Sequence, residues 1–130
     1  LEFRRVLFRS TTIHAYQRLM HSNDHPALNE LLGRIVSDEA RHFAFYQWQS
    51  GIRLAEPDVQ RRVRGIMQRF YAPVGTQHQP DDLARWVSGW LFDGPDGRAA
   101  AARVDRTISK LPGFSGSRFL GDWLERNVYT

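Results

Sequence analysis

The chain has 130 residues, of which 42% are hydrophobic and 25% are charged, a composition typical of one globular domain or part of a larger one. It contains no cysteine, which excludes disulfides, thiolate catalysis and cysteine-based zinc sites, so any metal site must use carboxylate and imidazole ligands. Its formal net charge is +4. The sequence has no apolar run of membrane-spanning length and nothing that resembles a signal peptide, so we expect no membrane span and a cytoplasmic location.

The first ten residues have an unusual origin. Residues 1–10, LEFRRVLFRS, match codon for codon the translation of a short-read sequencing adapter. We therefore interpret them as an assembly artefact and expect the natural protein to extend upstream, with the present chain as its C-terminal fragment. The ten residues contain three arginines and one glutamate, and without them the formal charge falls from +4 to +2. The basic balance is then poor evidence for a nucleic-acid partner, and we expect none.

All predicted secondary structure in the first half is helical. Residues 11–21 form a short amphipathic helix, and after a turn a long helix runs from Pro26 to about Leu54. Asp24 or His25 is the predicted N-cap, with Pro26 in the first turn, where its missing N–H costs nothing. Pro57 begins a third helix, whose predicted core positions are Val59, Val63, Ile66, Met67 and Phe70.

The second half is also predicted to be helical. After a loop at residues 71–80, Asp81 and Asp82 are expected to cap a tryptophan-rich helix. A turn at residues 92–97 precedes a helix from about Arg98 to Leu111, and a last helix follows the break at residues 112–116. The apolar positions of the three helices are Leu83, Trp86, Val87, Trp90 and Leu91; Ala101, Val104, Ile108 and Leu111; and Phe119, Leu120, Trp123 and Leu124. No segment alternates with a period of two, so the fold class is all-α.

Two ionisable residues interrupt the apolar stripe of the long helix. Leu28, Leu32 and Ile35 follow one another at steps of three and four, and the same rhythm then reaches Glu39 and His42. We predict that both side chains face the core, where they would be costly unless they are paired or bound to a metal. A carboxylate and an imidazole at positions i and i+3 project the same way, so one metal ion can bind both.

A family resemblance rests on this motif. Residues 26–46, with Asp38-Glu39-x-Arg41-His42, resemble the last ligand helix of the soluble acyl-carrier-protein desaturases, in the ferritin-like di-iron carboxylate superfamily. The resemblance implies a partial ferritin-like helical bundle, in which residues 11–54 are the two C-terminal bundle helices. Residues 55–130 would be a C-terminal helical extension packed on them. Bundles of this type bind their metals with two Glu-x-x-His pairs and two single glutamates.

The resemblance also implies roles for individual residues. Glu39 and His42 would be ligands of two iron ions, or of manganese. Asp38 would support a histidine on the opposing helix through a hydrogen bond, and Arg41 would form ion pairs.

On the preceding helix, one residue matches the family's pattern and another departs from it. Thr12 lies at the right distance before Glu39 to be the family's threonine. The family's ligand glutamate would then fall at position 9, where this chain has Arg9. We therefore expect the chain as it stands to be inactive and to bind no metal.

The implied function of the parent protein is that of a dioxygen-activating oxidoreductase of fatty acid metabolism. Its implied partners are an acyl carrier protein and an electron donor, and the parent would be a homodimer. Phe43 and Tyr46 are candidates for lining a substrate channel, although ordinary core packing explains them equally well. The family also includes ferritin-like and rubrerythrin-like proteins that handle iron or peroxide, and the fold does not choose among these reactions.

Two further alternatives involve no metal. Glu39 and His42 could form a structural polar cluster with Asp38 and Arg41. The chain could also be a helical binding module in which a basic helix face meets an acidic partner, although a solvated face explains the same residues, which are Arg61, Arg62, Arg64 and Arg69. The remaining histidines are expected to be solvated or capping residues: His14, His21, His25 and His78.

Overall fold

The computed structural model describes the backbone of residues 2–73, 76 and 78–129, and the side chains of the same residues from position 9 onwards. All regular secondary structure within these residues is helical, which confirms the all-α prediction. The helices are α1 (Glu2–His21), α2 (Pro26–Arg53), α3 (Pro57–Phe70), α4 (Asp81–Phe92), α5 (Gly94–Ser109) and α6 (Phe119–Asn127).

The first two helices form an antiparallel hairpin. His25 is the N-cap of α2, and its Nδ1 accepts a hydrogen bond from the backbone N–H of Leu28 at 3.2 Å. Of the two predicted caps, the structure therefore selects His25. The short turn folds α2 back along α1, and the contact between them is the most extensive between any two of the described helices. α1 begins at Glu2 rather than at Thr11, so residues 2–10 continue its helix; the adapter origin of this segment stays a prediction.

One face of α2 is not covered by the described part of the chain. Although α2 has 28 residues, only Leu32 and Ser50 are buried. The predicted core stripe is correct at Leu32 but wrong at Leu28 and Ile52, which are exposed. The side chains of this open face are large and apolar: Leu28, Leu31, Phe45, Trp48 and Ile52.

The main core lies in the C-terminal half. Its fully buried side chains come from the end of α2, α4, α5, α6 and the loop before α6: Leu54, Phe92, Ile108, Phe114, Leu120 and Leu124. The predicted core positions of α5 are all confirmed, and Ala101, Val104, Ile108 and Leu111 belong to this cluster. The α1–α2 hairpin packs against the cluster through Ala15, Phe43 and Tyr46.

α3 contacts the core along one side only. Val63 and Met67 pack against the core cluster as predicted. Val59, Ile66 and Phe70, predicted to be buried, are exposed, because the described part of the chain places nothing over that side of the helix.

The junction between α4 and α5 is tighter than predicted. α5 begins at Gly94 rather than near Arg98, with Asp93 as its N-cap; the Asp93 carboxylate accepts a hydrogen bond from the Gly94 N–H at 2.8 Å. A Cβ atom at Gly97 would lie 2.4 Å from the carbonyl carbon of Phe92, so only glycine allows this close approach. The prediction that Asp81 caps α4 is wrong, because Pro80 occupies the N-cap position.

Candidate functional site

The hairpin brings position 9 of α1 against Glu39 of α2. Glu39 is half-buried in the interface between the two helices, with 15% of its side chain exposed. Its carboxylate forms an ion pair with the Arg9 guanidinium. The prediction that Glu39 faces inwards is correct, and the cost of burying its charge is offset by a cation from the neighbouring helix.

His42 lies one turn further along α2 and points to solvent. Its side chain is 57% exposed, and its Nδ1 is 4.0 Å from the Glu39 carboxylate. The prediction that His42 faces the core is therefore wrong for the described part of the chain. Residues three positions apart differ by about 60° around the helix axis, which is enough to place Glu39 under α1 and His42 beyond its edge.

The two polar neighbours of this pair are on the exposed side of α2. Asp38 and Arg41 form an ion pair with each other one turn apart, and the side chains are 58% and 75% exposed. Arg41 therefore forms an ion pair, as predicted. The carboxylate of Asp38 contacts Arg41 rather than a histidine of another helix, and the supporting role implied for it stays a prediction.

Three other candidates lie near the hairpin interface. Thr12 is half-buried on α1, one turn after Arg9. Phe43 and Tyr46 are half-buried and pack on the core cluster, and the Arg9 guanidinium lies 5.9 Å from the centre of the Tyr46 ring. Phe43 also lines a cavity of about 190 Å³ between α1 and α5. Both aromatic side chains contribute to the core, while their role in a substrate channel stays a prediction.

His14 is a polar contact that the sequence prediction missed. It lies on α1 and faces the end of α4, where its Nε2 is 2.9 Å from the carbonyl oxygen of Leu91 and its ring stacks on Phe92. Burial lowers the pKa of His14, and the hydrogen bond to Leu91 opposes that effect. Little in the local sequence indicates this contact, because a single histidine in an amphipathic helix is more often solvated.

Asp105 is the second missed residue. It is buried in α5, and its carboxylate accepts hydrogen bonds from the backbone N–H groups of Leu120 and Gly121 at 3.0 and 2.8 Å. These are two of the N–H groups that the first turn of α6 cannot satisfy internally. Burial raises the pKa of Asp105, and the two hydrogen bonds oppose that effect. Its position directly after Val104, on the buried face of α5, was the available signal.

These residues do not by themselves make up a di-iron centre. Glu39 is paired with a guanidinium, and the described part of the chain contains no group of three or more histidine, aspartate or glutamate side chains that could hold a metal ion. None of the described helices has the length and apolar character needed to cross a membrane. Comparison of the chain with protein-family models, curated proteins and solved structures finds no match.

Proposed function

We propose that α1 and α2 are two ligand helices of a ferritin-like di-iron carboxylate protein, nearest to the acyl-carrier-protein desaturases. In the complete protein, Glu39 and His42 would bind metal, and further helices would supply the remaining ligands. Two iron ions held in this way would supply the ability to activate dioxygen for oxidation of an apolar substrate. An iron-handling or peroxide-handling protein would use the same two ligands, and activity on an acyl carrier protein would distinguish it.

The contact between position 9 and Glu39 carries this proposal. The resemblance places a ligand glutamate at position 9, one turn before Thr12, and two carboxylates that share a metal must lie opposite each other. The hairpin puts position 9 directly against Glu39, from the opposing helix. Arg9 now supplies positive charge where a cation would otherwise be required to offset the Glu39 carboxylate.

The first experiment restores the missing carboxylate. Arg9→Glu should place two glutamates on facing helices with His42 nearby, and we expect the variant to bind Co²⁺, a spectroscopic substitute for Fe²⁺. Isothermal titration and the visible absorption of bound cobalt should give an affinity at least ten times higher than that of the unmodified chain. Adding Glu39→Ala to this variant should abolish the gain.

A matched control excludes simple attraction of cations to carboxylates. Arg34 forms an exposed ion pair with Glu30 on the outer side of α2, so Arg34→Glu also creates two adjacent carboxylates with the same change in net charge. If Arg34→Glu binds cobalt as tightly as Arg9→Glu, position 9 is not part of a metal site.

The second experiment concerns the natural gene. Sequencing through the codons upstream of Thr11 should show glutamate at position 9 and a second Glu-x-x-His on an earlier helix. The protein expressed from that gene should contain iron or manganese, and its Glu39→Ala variant should not. A metal-free natural protein would overturn the proposed function.

A further inference from the structure

α3 presents a narrow apolar row to solvent. None of its residues is fully buried, and Val59, Ile66 and Phe70 are 36%, 57% and 70% exposed. At about 100° per residue these three side chains lie within roughly 40° of one another around the helix axis. Arg62 and Arg69 border the row along one edge, about 60–80° from its centre. We call these five residues the basic stripe.

The side of α3 that adjoins the other edge of the row, away from Arg62 and Arg69, fixes the orientation of the helix. Val63 and Met67 pack on the core cluster. The Gln60 side chain donates a hydrogen bond to the carbonyl oxygen of Leu54 at 2.7 Å, and Arg64 donates to the carbonyl oxygens of Gly113 and Ser115, both at 3.0 Å. α3 is therefore held against the domain, and the basic stripe faces outwards without a change of fold.

The two arginines of the stripe are not engaged in ion pairs. Asp58, the only acidic residue of α3, lies on the same edge of the helix, and its ion pair is with Arg61. Within the part of the chain that the structure describes, neither Arg62 nor Arg69 forms an ion pair. A second copy of the chain docked on the same face would bring like charges together, which disfavours self-association through this surface.

We propose that the basic stripe binds the surface of a bilayer that contains anionic lipids. A helix with arginines beside a row of apolar and aromatic side chains has the form of helices that lie in the membrane interface. Ile66 and Phe70 enter the boundary between headgroups and acyl chains, and Arg62 and Arg69 remain with the lipid phosphates. This proposal is independent of the metal-binding function.

The absence of cysteine from the sequence allows a site-specific test. Ile66→Cys and Gln68→Cys each carry one environment-sensitive fluorophore; Gln68 is exposed on the side of α3 away from the stripe. With vesicles of phosphatidylglycerol and phosphatidylcholine, the label at position 66 should shift to the blue, while the label at position 68 should remain in water. Vesicles of phosphatidylcholine alone, or 0.5 M salt, should abolish the shift.

Two double variants distinguish the effect of the basic stripe on binding from the effect of net charge. Each arginine near an anionic surface contributes about fivefold to binding, so Arg62→Gln with Arg69→Gln should weaken vesicle binding about thirtyfold. Arg106→Gln with Arg126→Gln removes the same charge from exposed positions of α5 and α6 and should change binding less than about threefold. Circular dichroism checks that both pairs fold.

Three results would overturn the proposal. The first is the absence of a shift at position 66 with anionic vesicles, and the second is an equal loss of binding in the two charge variants. The third is an equal or larger shift with soluble polyglutamate, which would assign the stripe to an acidic protein partner.

Discussion

The α1–α2 hairpin and the C-terminal cluster, which is the core formed mainly by α4, α5 and α6, differ in how completely they bury their apolar side chains. α2 has 28 residues and buries two of them, whereas α5 has 16 residues and buries six. The difference does not lie in apolar content, because α2 carries many large apolar side chains that remain exposed. It arises because α5 is covered on several sides, by α1, α4, α6 and the loop before α6, while α2 is covered mainly by α1.

The two regions also differ in how they hold a buried carboxylate. Glu39 in the hairpin is neutralised by an arginine, so its environment depends on a single charged partner. Asp105 in the C-terminal cluster is held by two backbone N–H groups at the start of a helix. A charged partner can be exchanged by mutation or replaced by another cation, whereas the backbone groups are fixed by the fold. The hairpin is therefore the region in which the partner of a buried carboxylate can be exchanged without a change of fold.

The largest expected effect tests whether stability is concentrated in the C-terminal cluster. Phe114 is fully buried, so Phe114→Ala should reduce the free energy of unfolding by about 3–5 kcal/mol through the loss of contacts and the cavity it leaves. Phe45 is 53% exposed in the hairpin, and Phe45→Ala should cost less than about 1 kcal/mol. Urea unfolding followed by circular dichroism measures both. Equal losses would contradict the contrast between the two regions.

The next effect concerns the carboxylate at the start of α6. Asp105→Ala leaves the N–H groups of Leu120 and Gly121 without their acceptor and should reduce the free energy of unfolding by about 2 kcal/mol at neutral pH. Asp122 lies in the same helix turn but is exposed, so Asp122→Ala should change it by less than about 0.5 kcal/mol in urea unfolding.

The same residue predicts a pH dependence. Because the pKa of Asp105 is raised in the folded state, the folded chain keeps this proton at pH values where the unfolded chain has released it. The contribution of the group to stability should therefore fall as the pH rises from about 4 towards the raised pKa. Asp105→Asn cannot titrate, so the difference in unfolding free energy between wild type and this variant should decline over that range. A constant difference would show that the pKa is not raised.

A smaller effect tests the ion pair of the hairpin. A double-mutant cycle of Arg9→Gln and Glu39→Gln should give a coupling energy of about 1 kcal/mol, because Glu39 is mostly buried. The exposed pair of Glu30 and Arg34 should give about 0.3 kcal/mol. Both cycles can be measured by urea unfolding at 0.1 M and 1 M salt, where the exposed pair should lose more of its coupling. Indistinguishable couplings would show that α1 does not shield Glu39.

The smallest effect concerns the contact of His14 between the two regions. Its lowered pKa means that, as the pH falls below about 6.5, the unfolded chain takes up this proton before the folded chain does. The free energy of unfolding should therefore decline from that pH down to the folded pKa. NMR titration should show the His14 ring titrating below the usual pH range of histidine, and His14→Gln should lack the decline. Titration of the His14 ring in the usual range would contradict the contact.

Much of the fold follows from local pattern. The long helix, its start at Pro26, and the buried positions of α5 could be predicted because three- and four-residue steps and a capping residue act over one or two turns of chain. The start of α5 was missed, because residues 92–97 have the composition of a turn. Only the close approach of Gly97 to Phe92 shows that the helix begins within them.

The candidate site was predictable in part. The motif located Glu39 correctly on the inner side of α2, where it meets position 9 of α1, while the role of position 9 as a ligand position stays a prediction. The predicted orientation of His42 was wrong. A helical stripe indicates which residues share a face, but it does not indicate how far the neighbouring helix extends across that face. Asp105 and His14 escaped notice because each has its partners at least fifteen residues away in the chain.

The sequence by itself determined that the protein is helical and where most helices begin and end, because these properties depend on neighbours within a few residues. Only the tertiary structure decided which apolar faces are covered, that Arg9 meets Glu39, and that the outer row of α3 faces solvent. Burial is a property of pairs of helices, and the pairing is set by contacts between residues far apart in the chain.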